Sequence, residues 1–111
     1  MEITTKQLRH CDLVVVKGRI DASTVKTLSQ ALAESKKAGH YKIVLSMKDV
    51  TYISSAGLSE LIDTQNTCKQ LSRGELVLAE VPSRIKDVLE LAGLTPLFKL
   101  FETEVEAVDS F

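Results

Sequence analysis

Apolar residues along this chain occur in two alternating patterns, short continuous runs and runs with helical spacing. The continuous runs predict strands at Ile3–Leu8, Asp12–Gly18, Tyr41–Ser46, GELVLAEV and PLFKLF. Each of the last three follows a segment with helical spacing, and a further helical segment closes the chain, so the predicted order is ββαβαβαβα. Strands that alternate with helices favour parallel pairing, so we expect an antiparallel hairpin followed by a mostly parallel sheet.

The helical segments repeat their apolar residues mostly at intervals of three and four positions, which places those residues on one face of each helix. These positions are Val25, Leu28 and Leu32; Leu58, Leu61, Ile62, Cys68 and Leu71; Ile85, Val88, Leu89 and Ala92; and Val105 and Val108. Asp21 or Ser23 can cap the first helix, and Gly74 is a suitable residue to end the second. Thr103 and Glu106 form a capping-box pattern at the start of the last helix.

The composition is that of a soluble globular protein. The 111 residues fit a single domain, 1–111, and 44% of them are hydrophobic. The formal net charge is −1, and no basic stripe of the kind that binds nucleic acid is present. The apolar runs are too short to span a membrane, and the N-terminus lacks the apolar core of a signal peptide. Two widely separated cysteines, Cys11 and Cys68, indicate reduced thiols, so we expect a cytoplasmic protein.

The segment DVTYISSAGLSELI (Asp49–Ile62) joins the end of a predicted strand to the start of a predicted helix. In α/β folds, ligands and chemistry gather where strand ends meet helix N-termini. Ser54 and Ser55 occupy this junction, where a hydroxyl can cap the helix and where free backbone N–H groups favour a phosphate. Ala56 and Gly57 leave the backbone open to a partner. From these residues alone, a plain helix cap is favoured over a regulatory serine, because Ser is a preferred cap residue.

The segment VTYISSAGLSELI resembles the signature of the STAS domain, the fold shared by anti-sigma-factor antagonists and the cytosolic tails of sulfate transporters. The usual pattern is an apolar strand, then Asp-Ser-Ser/Thr/Ala-Gly-Leu, then a helix. Upstream, GRIDASTV resembles the family's second landmark, Gly-x-apolar-Asp before the first helix. The resemblance covers essentially the whole chain. It implies a STAS-type α/β fold, with an N-terminal β-hairpin, a mixed and mostly parallel sheet of about 4–5 strands, and about four helices.

The resemblance implies that this is an anti-sigma-factor antagonist (anti-anti-sigma factor) of a bacterial partner-switching pathway. In the family, the serine after the Asp accepts phosphate from an anti-sigma factor that is also a serine kinase, a histidine-kinase-like ATPase. A PP2C-type phosphatase removes the phosphate. The matching residue here is Ser55, and Ser54 is the less favoured acceptor. The neighbours expected to bind the partner are Asp21, Ser54, Ala56, Gly57 and Leu58.

Ser54 holds the place of the family's Asp, which is a departure from the pattern. A serine can still accept a hydrogen bond, but more weakly than a carboxylate. Asp21 matches the acidic residue of the upstream Gly-x-apolar-Asp landmark. Two alternatives stay open: a non-phosphorylated adaptor, such as the STAS subunit of a transporter ATPase complex or a scaffold module, and a small-ligand sensor with a pocket at the same junction.

We expect no catalysis by the chain itself. The string YISSAGL lacks the Gly-x-Ser-x-Gly elbow of hydrolases, and the two histidines, His10 and His40, fall in predicted turns where we expect them to face solvent. No Walker lysine follows a glycine-rich loop, and no His/Asp/Glu cluster has metal-ligand spacing. The resemblance implies a binding protein that is the substrate of a kinase. We expect it not to be an enzyme and to need no cofactor, nucleic acid or membrane.

Overall fold

The computed structural model describes the backbone of residues 1–111 and every side chain except that of Ser72. The elements follow the predicted order ββαβαβαβα, with a short 3-10 turn, Thr95–Leu97, before the last strand. The strands are β1 (Glu2–Gln7), β2 (Asp12–Ile20), β3 (Lys42–Ile53), β4 (Glu75–Ala79) and β5 (Leu100–Phe101). The helices are α1 (Val25–Lys37), α2 (Ser55–Ser72), α3 (Ser83–Leu91) and α4 (Glu104–Asp109).

The strands form one sheet in the order β1-β2-β3-β4-β5. Only β1 and β2 pair antiparallel, and every other neighbouring pair is parallel, which confirms the predicted hairpin and parallel sheet. Because parallel strands end at the same side of a sheet, the ends of β2, β3 and β4 define a common C-terminal edge. At this edge β2 and β3 continue past β4 as a two-stranded ribbon, from the Ser46–Ala79 pair to the Ile20–Ile53 pair.

The two faces of the sheet are covered unequally. The main core lies under α1, α2 and α3 and includes Leu28, Leu61 and Ile85, all almost completely buried. The other face has a smaller cluster in which Ala107 of α4 packs against strand residues such as Leu13. Cys68 is buried in the main core, as its position on the apolar face predicts.

The structure corrects the predicted end of the third strand. β3 does not stop at Ser46 but runs on through the polar pair Lys48 and Asp49 to Ile53. Both polar residues are exposed. A bulge lies here, since Val15 and Lys17 of β2 pair with Ser46 and Asp49, so both side chains can point away from the main core that holds Met47 and Val50. A strand with one solvated face carries polar residues without ending, which is why the apolar run alone underestimates its length.

The predicted helix ends are also partly wrong. The residue that ends α2 in a left-handed conformation is Arg73 (φ 51°), not Gly74. Gly74 is needed for a different reason, since a Cβ at that position would collide with the carbonyl oxygen of Tyr41. Leu71 is 65% exposed and Val105 is 68% exposed, although both were predicted on apolar faces. Each lies in a terminal turn, and periodicity shows which side of a helix is apolar but not where the sheet beneath it ends.

Candidate functional site

Ser54 is the residue that caps α2. Its backbone is extended (φ −93°, ψ 175°), and its hydroxyl accepts a hydrogen bond from the N–H of Gly57 at 3.5 Å. The Ser54 N–H donates to the carbonyl of Ile20 at 2.8 Å, which ties the start of α2 to the end of β2. Ser54 therefore performs the capping role that either Ser or Asp can fill.

Ser55 is the first residue of α2, and its side chain is exposed at the C-terminal edge. Its hydroxyl makes no hydrogen bond to any of the described side chains or to the backbone. The two serines thus have different roles: Ser54 is the cap, and Ser55 presents an accessible hydroxyl. The first turn of α2 contains no acidic side chain, so its N–H groups and dipole face no competing carboxylate from the helix itself.

Gly57 is buried and allows α2 to lie directly on the strand ends. A Cβ there would stand 2.7 Å from Cγ2 of Ile20 and 2.7 Å from Cγ1 of Ile53. Both isoleucines are almost fully buried and have little freedom to move. Sequence reasoning assigned Gly57 to partner access and missed this packing role.

We expect the Gly57→Ala variant to be less stable than the wild type by about 1–3 kcal/mol, because the added methyl overpacks the contact with Ile20 and Ile53. Helix propensity alone predicts the opposite sign, since Ala is favoured over Gly by about 1 kcal/mol within a helix. Urea denaturation followed by circular dichroism measures the difference. Ser59→Ala, at an exposed position of the same helix, is the control and should change little. A stabilised Gly57→Ala protein would contradict the packing role.

Asp21 organises the turn between β2 and α1. Its Oδ1 accepts hydrogen bonds from the N–H of Ser23 at 3.0 Å, from the Ser23 hydroxyl at 2.7 Å and from the N–H of Thr24 at 3.2 Å. The bond from the Ser23 side chain is the main reason why the pKa of Asp21 lies below its ordinary value. Of the two predicted caps of α1, Asp21 and Ser23, it is Asp21 whose side chain accepts from the N–H groups that lead into the helix. The N-cap position itself is held by Thr24, whose side chain makes no capping bond.

Arg19 and Tyr52 form a pair at the end of the β2–β3 ribbon that sequence reasoning missed. They are register partners, and Cζ of Arg19 lies 4.3 Å from the centre of the Tyr52 ring. Nε of Arg19 is also 3.4 Å from Oδ2 of Asp21. No local pattern connects residues so far apart in sequence, and the pairing follows only from the β2–β3 register.

Two cavities lie at the opposite edge of the sheet from the serines. One of about 390 Å³ and a neighbouring one of about 250 Å³ share Gln7, Asp12 and His40 in their linings. They do not support a ligand pocket at the serine junction. His10 is exposed as predicted, whereas His40 is only partly exposed, because its Nδ1 lies 3.2 Å from Oδ2 of the buried Asp12.

Two kinds of feature are absent from the described residues. No group of three or more His, Cys, Asp or Glu side chains there is arranged to hold a metal ion. No helix in the same residues is both long and apolar enough to cross a membrane.

The fold and the serine junction correspond to one protein family. Residues 2–107 match the family described as the STAS domain. The match covers most of the chain, and the protein belongs to the STAS domain family.

The relatives of this chain include named regulators of sigma factors. The anti-sigma-B factor antagonist of Staphylococcus aureus is 33% identical over 94 residues, which cover 84% of this chain and 86% of the relative. An anti-sigma factor antagonist from Mycobacterium paratuberculosis has a solved structure with a TM-score of 0.87 and 22% identity, over 98% of this chain and 92% of that chain. 

The Bacillus protein SpoIIAA has the same fold and has been solved in two states. Its unphosphorylated form has a TM-score of 0.83 and 15% identity, over 98% of this chain and 95% of SpoIIAA. Its phosphorylated form has a TM-score of 0.76 and 17% identity, over 98% of each chain. At these identities the likeness shows the fold alone.

Proposed function

We propose that this protein is an anti-sigma-factor antagonist whose binding to an anti-sigma factor is switched by phosphorylation of Ser55. The observation that carries the proposal is the position of Ser55, an exposed serine with a free hydroxyl at the first residue of a helix that its neighbour already caps. Phosphorylation of this hydroxyl would remove no capping bond. The names of the curated relatives support the same function.

The start of α2 is suited to hold a phosphate on Ser55 without unfolding. The N–H groups of the first helical turn have no partners within the helix, and the helix dipole favours negative charge there. A phosphate adds a charge of roughly −1.5 to −2 at neutral pH. Because this charge would lie on an exposed edge, the expected effect is electrostatic and steric mismatch with a partner, with the fold retained.

The proposed cycle needs two partners. The unphosphorylated protein binds an anti-sigma factor of the histidine-kinase-like ATPase type and so releases the sigma factor. The bound kinase phosphorylates Ser55, the complex dissociates, and a PP2C-type phosphatase restores the binding form. The neighbours of Ser55 proposed to contribute to partner binding are Asp21, Ser54, Ala56, Gly57 and Leu58. The protein itself is a substrate and a binder in this cycle.

The proposal is tested by affinity capture from the native lysate with wild-type protein and Ser55→Ala as baits. We expect both baits to retain a kinase-like ATPase, and we expect mass spectrometry to find phosphate on Ser55 of the wild-type bait alone. Phosphate found on Ser54 and not on Ser55 would show that Ser54 is the acceptor. Retention of a transporter ATPase by both baits, with Ser55 unmodified, would overturn the proposal in favour of the adaptor alternative.

A further inference from the structure

The end of the β2–β3 ribbon presents an arginine that is held on two sides. The Tyr52 ring covers one face of the Arg19 guanidinium at 4.3 Å, and Asp21 Oδ2 lies 3.4 Å from its Nε. The two terminal Nη groups make no hydrogen bond among the described residues. The side chain is nevertheless 62% exposed, so these terminal groups are available to another molecule.

This support lowers the entropic cost of using Arg19 in a complex. A free arginine loses substantial rotamer freedom when a partner immobilises it, and an arginine already stacked and hydrogen-bonded loses less. The free Nη pair is the part of the guanidinium that matches a carboxylate in a two-point contact. Arginine and tyrosine are also the residue types enriched among the contacts that dominate binding energy.

The arginine lies on the same edge of the molecule as Ser55. Ile20, the residue after Arg19, accepts the hydrogen bond from the N–H of Ser54 at 2.8 Å. The Asp21 carboxylate is engaged mainly with the Ser23 and Thr24 donors of its own turn, so it leaves the guanidinium charge only partly compensated. A partner that covers Ser55 and extends across this edge also meets a positively charged fork on the ribbon.

We propose that Arg19, supported by Tyr52 and Asp21, is a specificity-determining contact that binds an Asp or Glu carboxylate on the surface of the anti-sigma factor. The binding surface then extends from Ser55 onto the open end of the β2–β3 ribbon. This inference rests on the proposed function, and it adds a requirement for an acidic group on the partner at a defined place.

The test is a binding titration of the captured anti-sigma factor against purified variants. We expect Arg19→Glu to raise Kd by about 30-fold or more, as at a dominant interface contact. Arg19→Lys keeps the charge but loses the fork and should raise Kd by roughly tenfold. Arg9→Glu is the matched control, since Arg9 is exposed in the β1–β2 turn at the opposite edge and the charge change is the same. It should change Kd by less than about threefold.

A charge exchange then identifies the partner group. Acidic residues on the anti-sigma factor are replaced one at a time by Arg, and one of them should restore binding to Arg19→Glu while weakening binding to the wild type. Thermal melts of the Arg19 variants should stay close to the wild type, because an exposed cation–π contact and an exposed ion pair each contribute only about 1 kcal/mol or less. This rescue cannot arise from a merely structural role of Arg19.

The outcomes separate this inference from the function on which it rests. Unchanged Kd for Arg19→Glu, beside lost binding for Ser55→Asp in the same titration, overturns the inference alone. Equal losses for Arg19→Glu and Arg9→Glu also overturn it, because only net charge would then matter. Arg19→Glu could also leave Kd unchanged but shift the pH at which the phosphate on Ser55 titrates, as followed by 31P NMR. That result would overturn the inference, because Arg19 would then bind the protein's own phosphate. Binding that survives Ser55→Asp overturns the proposed function.

Discussion

Replacement of Ser55 by Asp is expected to abolish tight binding of the anti-sigma factor while the fold stays intact. Ser55 is exposed at the first position of α2, so a carboxylate there would enter the proposed interface without disturbing the core. An unpaired charge that becomes buried at an interface costs about 2–5 kcal/mol, which corresponds to roughly 30-fold or more in Kd. Isothermal titration with the captured anti-sigma factor measures the change.

The same substitution should leave stability unchanged or slightly raised. A negative charge in the first turn of a helix contributes about 0.3–1 kcal/mol through the helix dipole. Ser83→Asp is the matched control, because Ser83 is also an exposed first residue, in α3, and its helix likewise has no acidic residue in the first turn. Both variants should show similar melting temperatures. Gross unfolding of Ser55→Asp alone would contradict the view that this position tolerates negative charge.

The side chain of Gln65, in α2, hydrogen-bonds the backbone of β4 where no neighbouring strand pairs with it on that side. β5 is only two residues long and pairs with β4 at Leu78 and Ala79, so it does not reach Leu76. The Gln65 side chain takes over there, since its Oε1 accepts from the Leu76 N–H at 2.7 Å and its Nε2 donates to the Leu76 carbonyl at 3.0 Å. Nε2 also donates to the carbonyl of Leu97 at 2.8 Å. One buried amide therefore joins α2, β4 and the turn before β5.

We expect Gln65→Leu to lower the free energy of unfolding by about 3 kcal/mol, although the side chains are similar in size. The substitution leaves backbone groups of Leu76 and Leu97 without their partners, and each buried unpaired group costs about 1–3 kcal/mol. The melting temperature should fall by roughly 10–20 °C for a domain of this size. Differential scanning calorimetry and urea denaturation both measure the loss.

Gln70→Leu provides the control for this prediction. Gln70 is exposed on the same helix, so the chemical change is identical but no buried backbone group depends on the side chain. Its effect should stay within about 0.5 kcal/mol, as for most surface substitutions. Equal effects of the two substitutions would show that the amide clamp contributes nothing specific to stability.

The features that could be predicted from the sequence depend on short stretches of chain. Apolar spacing predicts the order of strands and helices correctly, because each element repeats its own period within a few turns or residues. Thr103 caps α4 by accepting from the N–H of Glu106 at 3.1 Å, as the local motif predicts. The serine junction was identifiable for the same reason, since a cap and the residue after it are adjacent in sequence.

The assignment of roles within that junction needed the backbone conformation. Sequence placed two hydroxyls beside a helix start but left both functions open. The extended backbone of Ser54 makes it the cap, and Ser55 becomes the exposed first helical residue. A helix that began one residue later would make Ser55 the cap, and helix boundaries are not defined that closely by periodicity.

The order of elements and the location of the serine junction were thus determined by the sequence itself, whereas long-range contacts were decided by tertiary structure. Arg19 meets Tyr52 only because of the β2–β3 register, and Gln65 reaches Leu76 only because β5 is short. Gly57 is required by the approach of a helix to two distant isoleucines. The physical reason is common to all of these contacts: each depends on the relative positions of elements far apart in the chain, and no local period or motif encodes those positions.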